Sequence, residues 1–147
     1  MIKPAVFIVA SLISAISFAC SGDIPVATDT ESLSTSLSSA GLKVSAPSAL
    51  GKIDAGLFSA SGSKLVASSE ELLAYEFATE DDAQAAASTV SPDGMGIGSK
   101  YINWTKTPHY FRSGRLIVIY DGKQSLIVDT LTKAMGPMFA GDASRQS

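Results

Sequence analysis

Five consecutive positions, Leu116-Ile117-Val118-Ile119-Tyr120, are apolar. Successive side chains on a strand point to opposite faces, so a strand built from this run has no wet side. It has to lie in the interior of a sheet with cover above and below. The run belongs to a longer stretch, Lys100 to Asp121, which holds the only Trp (Trp104) and the only His (His109) of the chain. We read that stretch as successive antiparallel strands forming the middle of one small core. Ile102 and Trp104 share one face of the first. Pro108 donates no ladder hydrogen bond and so marks a strand start, an edge or a bulge. Ser113-Gly114 is the tight turn between His109–Arg112 and Arg115–Tyr120.

The flanking segments set the fold class. Asp29 or Thr30 caps a helix with Glu31 in its first turn, Leu33, Leu37 and Ala40 on one face, and Gly41 as a left-handed stop. Its many serines are poor helix formers, so packing has to hold it. Leu42–Ser45 alternates as a short strand, and Ala46–Asp54 reads as loop. Gly56–Ala60 and Lys64–Ser68 flank Ser61-Gly62-Ser63 as a hairpin. Glu71–Ala78 reads as a strand with one wet face. Thr79-Glu80-Asp81-Asp82 opens a second helix with a stripe of Ala83, Ala86, Ala87 and Val90, stopped by Ser91-Pro92-Asp93-Gly94. Gly94, Gly96 and Gly98 make a loose connection. Asp121 caps a last helix with Leu126, Ile127, Val128, Leu131, Ala134 and Met135 on its apolar face. Gly136-Pro137 ends it, Met138 and Phe139 tuck back, and the chain is a polar, frayed tail from Gly141 onward. Runs of strands separated by single helices predict an α+β fold: one domain, an antiparallel sheet, helices packed mainly on one face. With 147 residues there is room for one such domain.

The N-terminus is read separately. Met1-Ile2-Lys3 is a short basic region, and Pro4–Ala19 is apolar and uncharged. It is shorter than the ~20 residues a bilayer span needs and suits the apolar region of a signal peptide. Residues 1–19 are therefore expected to be a cleaved export signal, 20–28 a lipid-anchored tether, 29–141 the domain and 142–147 a disordered tail. Cys20 is the sole cysteine, so no internal disulfide staples the fold. Its place directly after Ala19 looks like the lipid acceptor of a bacterial lipoprotein. Ser17 and Phe18 depart from the usual lipoprotein signal and Ala19 fits it. Ordinary cleavage after Ser17-Phe18-Ala19 and an uncleaved anchor helix remain alternatives. Two or three acyl chains, at ~0.8 kcal/mol per buried CH₂, would hold the domain firmly to a membrane.

No group of residues amounts to a catalytic or cofactor signature. Gly94-Met95-Gly96-Ile97-Gly98-Ser99-Lys100 resembles a phosphate loop only superficially. Ser99 separates Gly98 from Lys100, and a strand rather than a helix follows. A nucleophilic triad would have to use His109, but no Gly-x-Ser-x-Gly elbow accompanies it, and a stacked structural histidine is the simpler reading. One His and no thiol besides Cys20 leave only carboxylates, which could hold Ca²⁺, but no spaced acidic loop appears, so no metal and no cofactor are expected. Glu80-Asp81-Asp82 is explained by a helix start. The sequon Asn103-Trp104-Thr105 is taken as chance. Arg112 and Arg115 form a small cationic tip or pair with nearby carboxylates. Trp104, Tyr110, Phe111 and Tyr120 are most simply core, with a surface groove lined by Tyr110 or Trp104 as the lesser reading, and His109, Tyr110, Arg112 and Arg115 are the candidate surface-contact residues if the chain has such a surface. A net charge of −3 argues against nucleic acid as a partner.

The C-terminal half resembles small bacterial lipoproteins of no known activity. The likeness is carried by Ser91-Pro92-Asp93-Gly94, Trp104, Thr107-Pro108-His109-Tyr110-Phe111, Gly114-Arg115-Leu116-Ile117-Val118, Tyr120, Gly136-Pro137 and Phe139-Ala140-Gly141, and extends more weakly back to Leu33. It implies a protein exported and anchored at the cell envelope and transfers no functional residue. The expected function is a binding or accessory module that meets a protein or small ligand and is not an enzyme. The alternatives are a small extracytoplasmic hydrolase using His109 and a self-associating structural component.

Overall fold

The computed structural model describes residues 23–142. The elements run α1 (Thr30–Ser39), β1 (Ser48–Ala49), α2 (Lys52–Ala55), β2 (Ser61–Ala67), β3 (Glu70–Glu76), α3 (Glu80–Ala87), β4 (Gly96–Ile97), β5 (Lys100–Tyr101), β6 (Pro108–Ser113), β7 (Leu116–Asp121), α4 (Ser125–Met135) and β8 (Ala140–Gly141). Six strands form one antiparallel sheet in the order β1-β2-β3-β7-β6-β8, and β4-β5 is a separate small hairpin. The fold is α+β in a single domain.

The double-sided run is where its pattern requires. Leu116–Tyr120 is buried throughout β7, with Val118 opposite Ala74 of β3 on one side and Phe111 of β6 on the other. Leu116, Val118 and Tyr120 face α1 and α4 through Leu33, Leu37, Ile127, Val128 and Leu131. Ile117 and Ile119 face the other way, onto Phe58, Tyr75, Phe77, Tyr110 and Ala83. Two cores therefore sandwich the sheet, where one was expected. The helices correct the same expectation, since α1 and α4 cover one face while α3 packs on the opposite one through Ala83, Ala86 and Ala87. β3 is likewise covered on both faces from Leu72 to Tyr75, because α1 and α4 roof Leu72 and Ala74 on the side that was expected to be wet, while Leu57 and Phe58 cover Leu73 and Tyr75.

The turn chemistry misled at Ser61-Gly62-Ser63. That segment lies inside β2, which runs unbroken to Ala67 and turns into β3 through Ser68 and Ser69, at φ 48° and 74°. Gly62 serves close approach instead: a Cβ there would stand 2.1 Å from the Leu50 side chain. The Lys43 N–H donates to Ser68 Oγ at 3.1 Å and the Ser68 N–H to the Lys43 carbonyl at 2.8 Å, which supports the strained pair. The expected strand at Leu42–Ser45 is reduced to one bridge, Val44 to Ala67. The expected loop Ala46–Asp54 contains β1 and α2. Residues 102–107 are not strand, and Trp104 is half-buried, donating to the Gly94 carbonyl at 2.9 Å.

The ends are tied down more than the sequence indicates. Asp121 does not cap α4, which begins four residues later; Asp121 accepts from Thr105 Oγ1 and the Lys106 N–H, both at 3.0 Å. The N-cap position falls on Gln124, which makes no side-chain cap bond and whose own N–H is accepted by the Tyr120 hydroxyl at 3.1 Å. Leu126, expected on the apolar face, is exposed. Gly141 is buried in β8 opposite His109, at φ +112°. A Cβ there would meet the Pro108 carbonyl at 2.1 Å, so glycine is required where a frayed end was expected. The Asp142 N–H extends the attachment to the Pro108 carbonyl at 3.1 Å. At the other end, Ala27 is buried and donates to the Ala134 carbonyl, and the Pro25 carbonyl accepts from Ser36 Oγ at 2.6 Å. Much of the expected tether thus lies on the domain. The export signal and Cys20 fall outside the described residues.

Two outcomes follow from the two-sided sheet. Val118→Asp places an unpaired carboxylate between β3, β6 and the helix layer. It costs several kcal/mol, a large share of the ~5–15 kcal/mol that holds a domain folded. Urea titration followed by circular dichroism should find the variant unfolded or its midpoint sharply lowered. Burial also raises the hydroxyl pKa of Tyr75, Tyr110 and Tyr120 above the ordinary 10.0. A raised folded-state value leaves their contribution intact below pH 10 and removes it as pH climbs beyond, because only the unfolded chain ionises freely there. Thermal melts should therefore show Tm falling from about pH 10 upward. A Tm that is level through pH 11 would contradict the burial of all three.

Candidate functional site

A groove of about 950 Å3 lies beside α1. Its construction follows from the pattern of two elements. Asp29 caps α1 with a reciprocal Ser32 box, its carboxylate accepting the Ser32 N–H at 2.7 Å. These hydrogen bonds hold the Asp29 carboxyl below the usual carboxylate range. The helix buries Leu33, Ser36 and Leu37, which leaves Ser34, Thr35 and Ser38 along the groove wall. On β2, Leu65 and Ala67 sit under the helix layer, and Ser61 and Ser63 occupy the same strand face further out, where they form the floor. The opposite wall is Val44–Pro47, fixed to β2 by the Ser45 N–H to the Val66 carbonyl at 2.9 Å.

Eight of the thirteen lining residues are Ser or Thr. The two charged ones, Glu31 and Glu76, are both acids. Glu76 Oε1 accepts the Thr30 N–H at 2.6 Å and so serves the helix start as well as the groove. Several hydroxyls donate backward along the helix, Thr35 Oγ1 to the Glu31 carbonyl and Ser39 Oγ to the Thr35 carbonyl. Their lone pairs remain available as acceptors.

The residues singled out by sequence do not meet in this groove. His109 is 2% exposed, stacked on Tyr120 at 5.8 Å, with Nδ1 3.3 Å from the Tyr120 carbonyl and Nε2 3.5 Å from Asp142. No serine or threonine hydroxyl is among these contacts, so the geometry offers no nucleophile to a His109 base. Tyr110 is fully buried and donates to the Gly94 carbonyl at 2.8 Å. His109 and Tyr110 are therefore core residues, as the simpler reading of each has it, and their candidacy as surface contacts is corrected. Both lie on β6, a strand covered on both faces. Arg112 approaches Glu80 at 4.0 Å, and the exposed Arg115 donates to the Phe77 carbonyl at 3.1 Å. The Gly94–Lys100 segment folds around those two donors to Gly94 and the β4-β5 hairpin. Glu80-Asp81-Asp82 occupies the first turn of α3, capped by Thr79.

A second concavity of about 310 Å3 brings Asp54, Glu70, Glu71 and Asp121 near Trp104. Three of its carboxylates, those of Glu70, Glu71 and Asp121, are engaged within the fold. Glu70 accepts from the Tyr120 hydroxyl at 3.1 Å and lies 3.8 Å from the Lys106 ammonium, and Glu71 pairs with Lys64 at 3.3 Å. Among the described residues no group of His, Cys, Asp and Glu is arranged to hold a metal ion. No helix among them is long and apolar enough to cross a membrane.

The groove escaped the sequence reading. Its signal was the repeated Ser/Thr on α1, which was treated only as weak helix propensity. Set against known proteins, the chain matches no protein-family model, no curated protein and no solved structure.

Proposed function

We propose that this chain is an exported, lipid-anchored binding module of a bacterial cell envelope, and that the groove beside α1 is its contact surface. The observation that carries the reading is the groove itself. It is open, lined by hydroxyls and walled on both sides, and the buried side-chain polar atoms among the described residues all have hydrogen-bond partners within the fold. Anchoring at Cys20 rests on the sequence, and the docking of the first described residues supports it. Ile24 and Ala27 pack on the helix layer, so a lipid attached at Cys20 would be joined to the domain by a short link. The lipid would then supply membrane affinity, and the domain would need no apolar membrane face of its own.

Two measurements on the full chain test this. Palmitate labelling in a bacterial host should mark the wild type and leave Cys20→Ala unlabelled; equal labelling rejects the anchor. A photo-crosslinking side chain placed at Ser38, on the groove wall, should capture an envelope component. The same probe at Gln84, exposed on α3 of the opposite face, should not. Adducts made only from position 84, or only between copies of this chain, would favour a self-associating structural component over a binding module.

A further inference from the structure

We infer that the ligand of this groove is an uncharged glycan, an assignment that rests on the groove being the binding surface. Four observations select it. The lining carries Glu31 and Glu76 and no lysine or arginine, so phosphate, sulfate and uronate ligands meet repulsion without a counter-charge. The N-terminus of α1 already offsets the Glu76 carboxylate through the Thr30 N–H, which weakens the attraction for a cationic ligand. Main-chain recognition of a peptide strand is not on offer here. The groove runs over the face of β2, and the free edge of that strand is already taken by Val44, Ser45, Ser48 and Ala49. Recognition has to come from side-chain hydroxyls, and each of these both donates and accepts. A ligand that presents such groups all around its outline is a carbohydrate. A peptide would also want an apolar anchor pocket, and the walls provide only Val44, Ala46 and Pro47.

The same lining sets the strength. Hydroxyl–hydroxyl bonds exchange almost evenly with bonds to water, and no lining residue is aromatic. Binding should be weak, on the order of 1 mM for a short oligosaccharide, and gain from many repeats along a polymer. Short Ser and Thr side chains lose little rotamer freedom when a ligand orders them, which favours a groove built this way over one built from Lys or Gln.

The test uses isotope-labelled full-length protein in detergent and three probes: the β-1,4-linked tetramer of N-acetylglucosamine, a sulfated tetrasaccharide, and a polar hexapeptide of alternating Ser and Lys. The neutral tetramer alone should shift the backbone amide signals of Ser38, Ser45 and Ser63. Thr35→Trp, an exposed change on the groove wall, should weaken that binding by about tenfold or more while signals of β6 and β7 stay in place. Ser63→Tyr should do the same from the floor. Shifts with the hexapeptide alone overturn the glycan assignment and keep the groove as a contact surface. Shifts with the sulfated sugar alone overturn the charge argument, and with it the assignment. Silence with all three probes overturns the assignment, and the crosslinking at Ser38 then decides separately whether the groove binds anything else.

Discussion

The structure depends on a sheet whose middle strands have no wet face. β7 and β3 place Leu116, Val118, Tyr120, Leu72 and Ala74 on one side and Ile117, Ile119, Leu73 and Tyr75 on the other. Burial of apolar area at roughly 25 cal/mol per Å2 is the dominant favourable term in such a fold, and here it acts in both directions from one pair of strands. Every other element is placed to cover them. α1 and α4 close one side, and α3 with Leu57 and Phe58 closes the other. A register slip of one residue in β7 would keep apolar contacts, because both faces are apolar. The neighbours therefore have to fix the register. Tyr120 does so from β7 itself, with its hydroxyl held by Glu70 and Gln124 and its ring against Gly122.

Backbone close approach is the second constraint, and it explains the glycines that composition alone misassigns. Gly62 lets Leu50 lie across β2, Gly94 lets the Tyr110 ring pass beneath a carbonyl that accepts both Tyr110 and Trp104, and Gly141 lets β8 meet β6. In each case the missing side chain makes room for a group from a distant part of the chain. A local reading sees Gly next to Ser and infers a turn or a loose end. Ser68 and Ser69, which do turn, carry no glycine and are held by Lys43, many residues earlier.

What was legible in the sequence had a periodic or punctuating cause. The central place of Leu116–Tyr120, the strand start at Pro108, the Asp29 and Thr79 caps and the Gly136 stop each follow from local chemistry, and each stands in the structure. Illegible features depended on tertiary partners. The cover over Leu72 and Ala74 comes from α1 and α4, distant in sequence, and the alternation of Leu73, Tyr75 and Phe77 marks only the other face. Asp121 looked like a helix cap because it precedes an apolar run, but Thr105 and Lys106 reach it first. His109 and Tyr110 drew attention as chemistry-bearing types, yet their strand is covered on both faces, so the sheet takes them inside. The groove was invisible for a different reason. Its residues are scattered over α1, the Val44–Pro47 segment and β2, and none is of a type that sequence reading marks as functional.

Geometry explains why the groove stands where it does. Six strands at about 4.8 Å spacing make a sheet about 24 Å across, and two helices packed about 10 Å apart cover only about 20 Å of it. α4 lies against β6 and α1 against β2 and β3, where Leu65 and Ala67 are buried, and the Ser61–Ser63 end of β2 runs past the part that the helix layer buries. An uncovered strand face has to be wet, which accounts for Ser61 and Ser63 continuing the line of Leu65 and Ala67. Wetness alone would be met by long charged side chains standing up from a flat surface, the usual guard at a sheet edge. Here the floor residues are short, the far side is raised by Val44–Pro47, and the near side presents a helix of serines and threonines. Small side chains on the floor and raised walls beside it keep the space empty, and an empty hydroxyl-bearing trough is a feature that the solvation of a strand face does not by itself require.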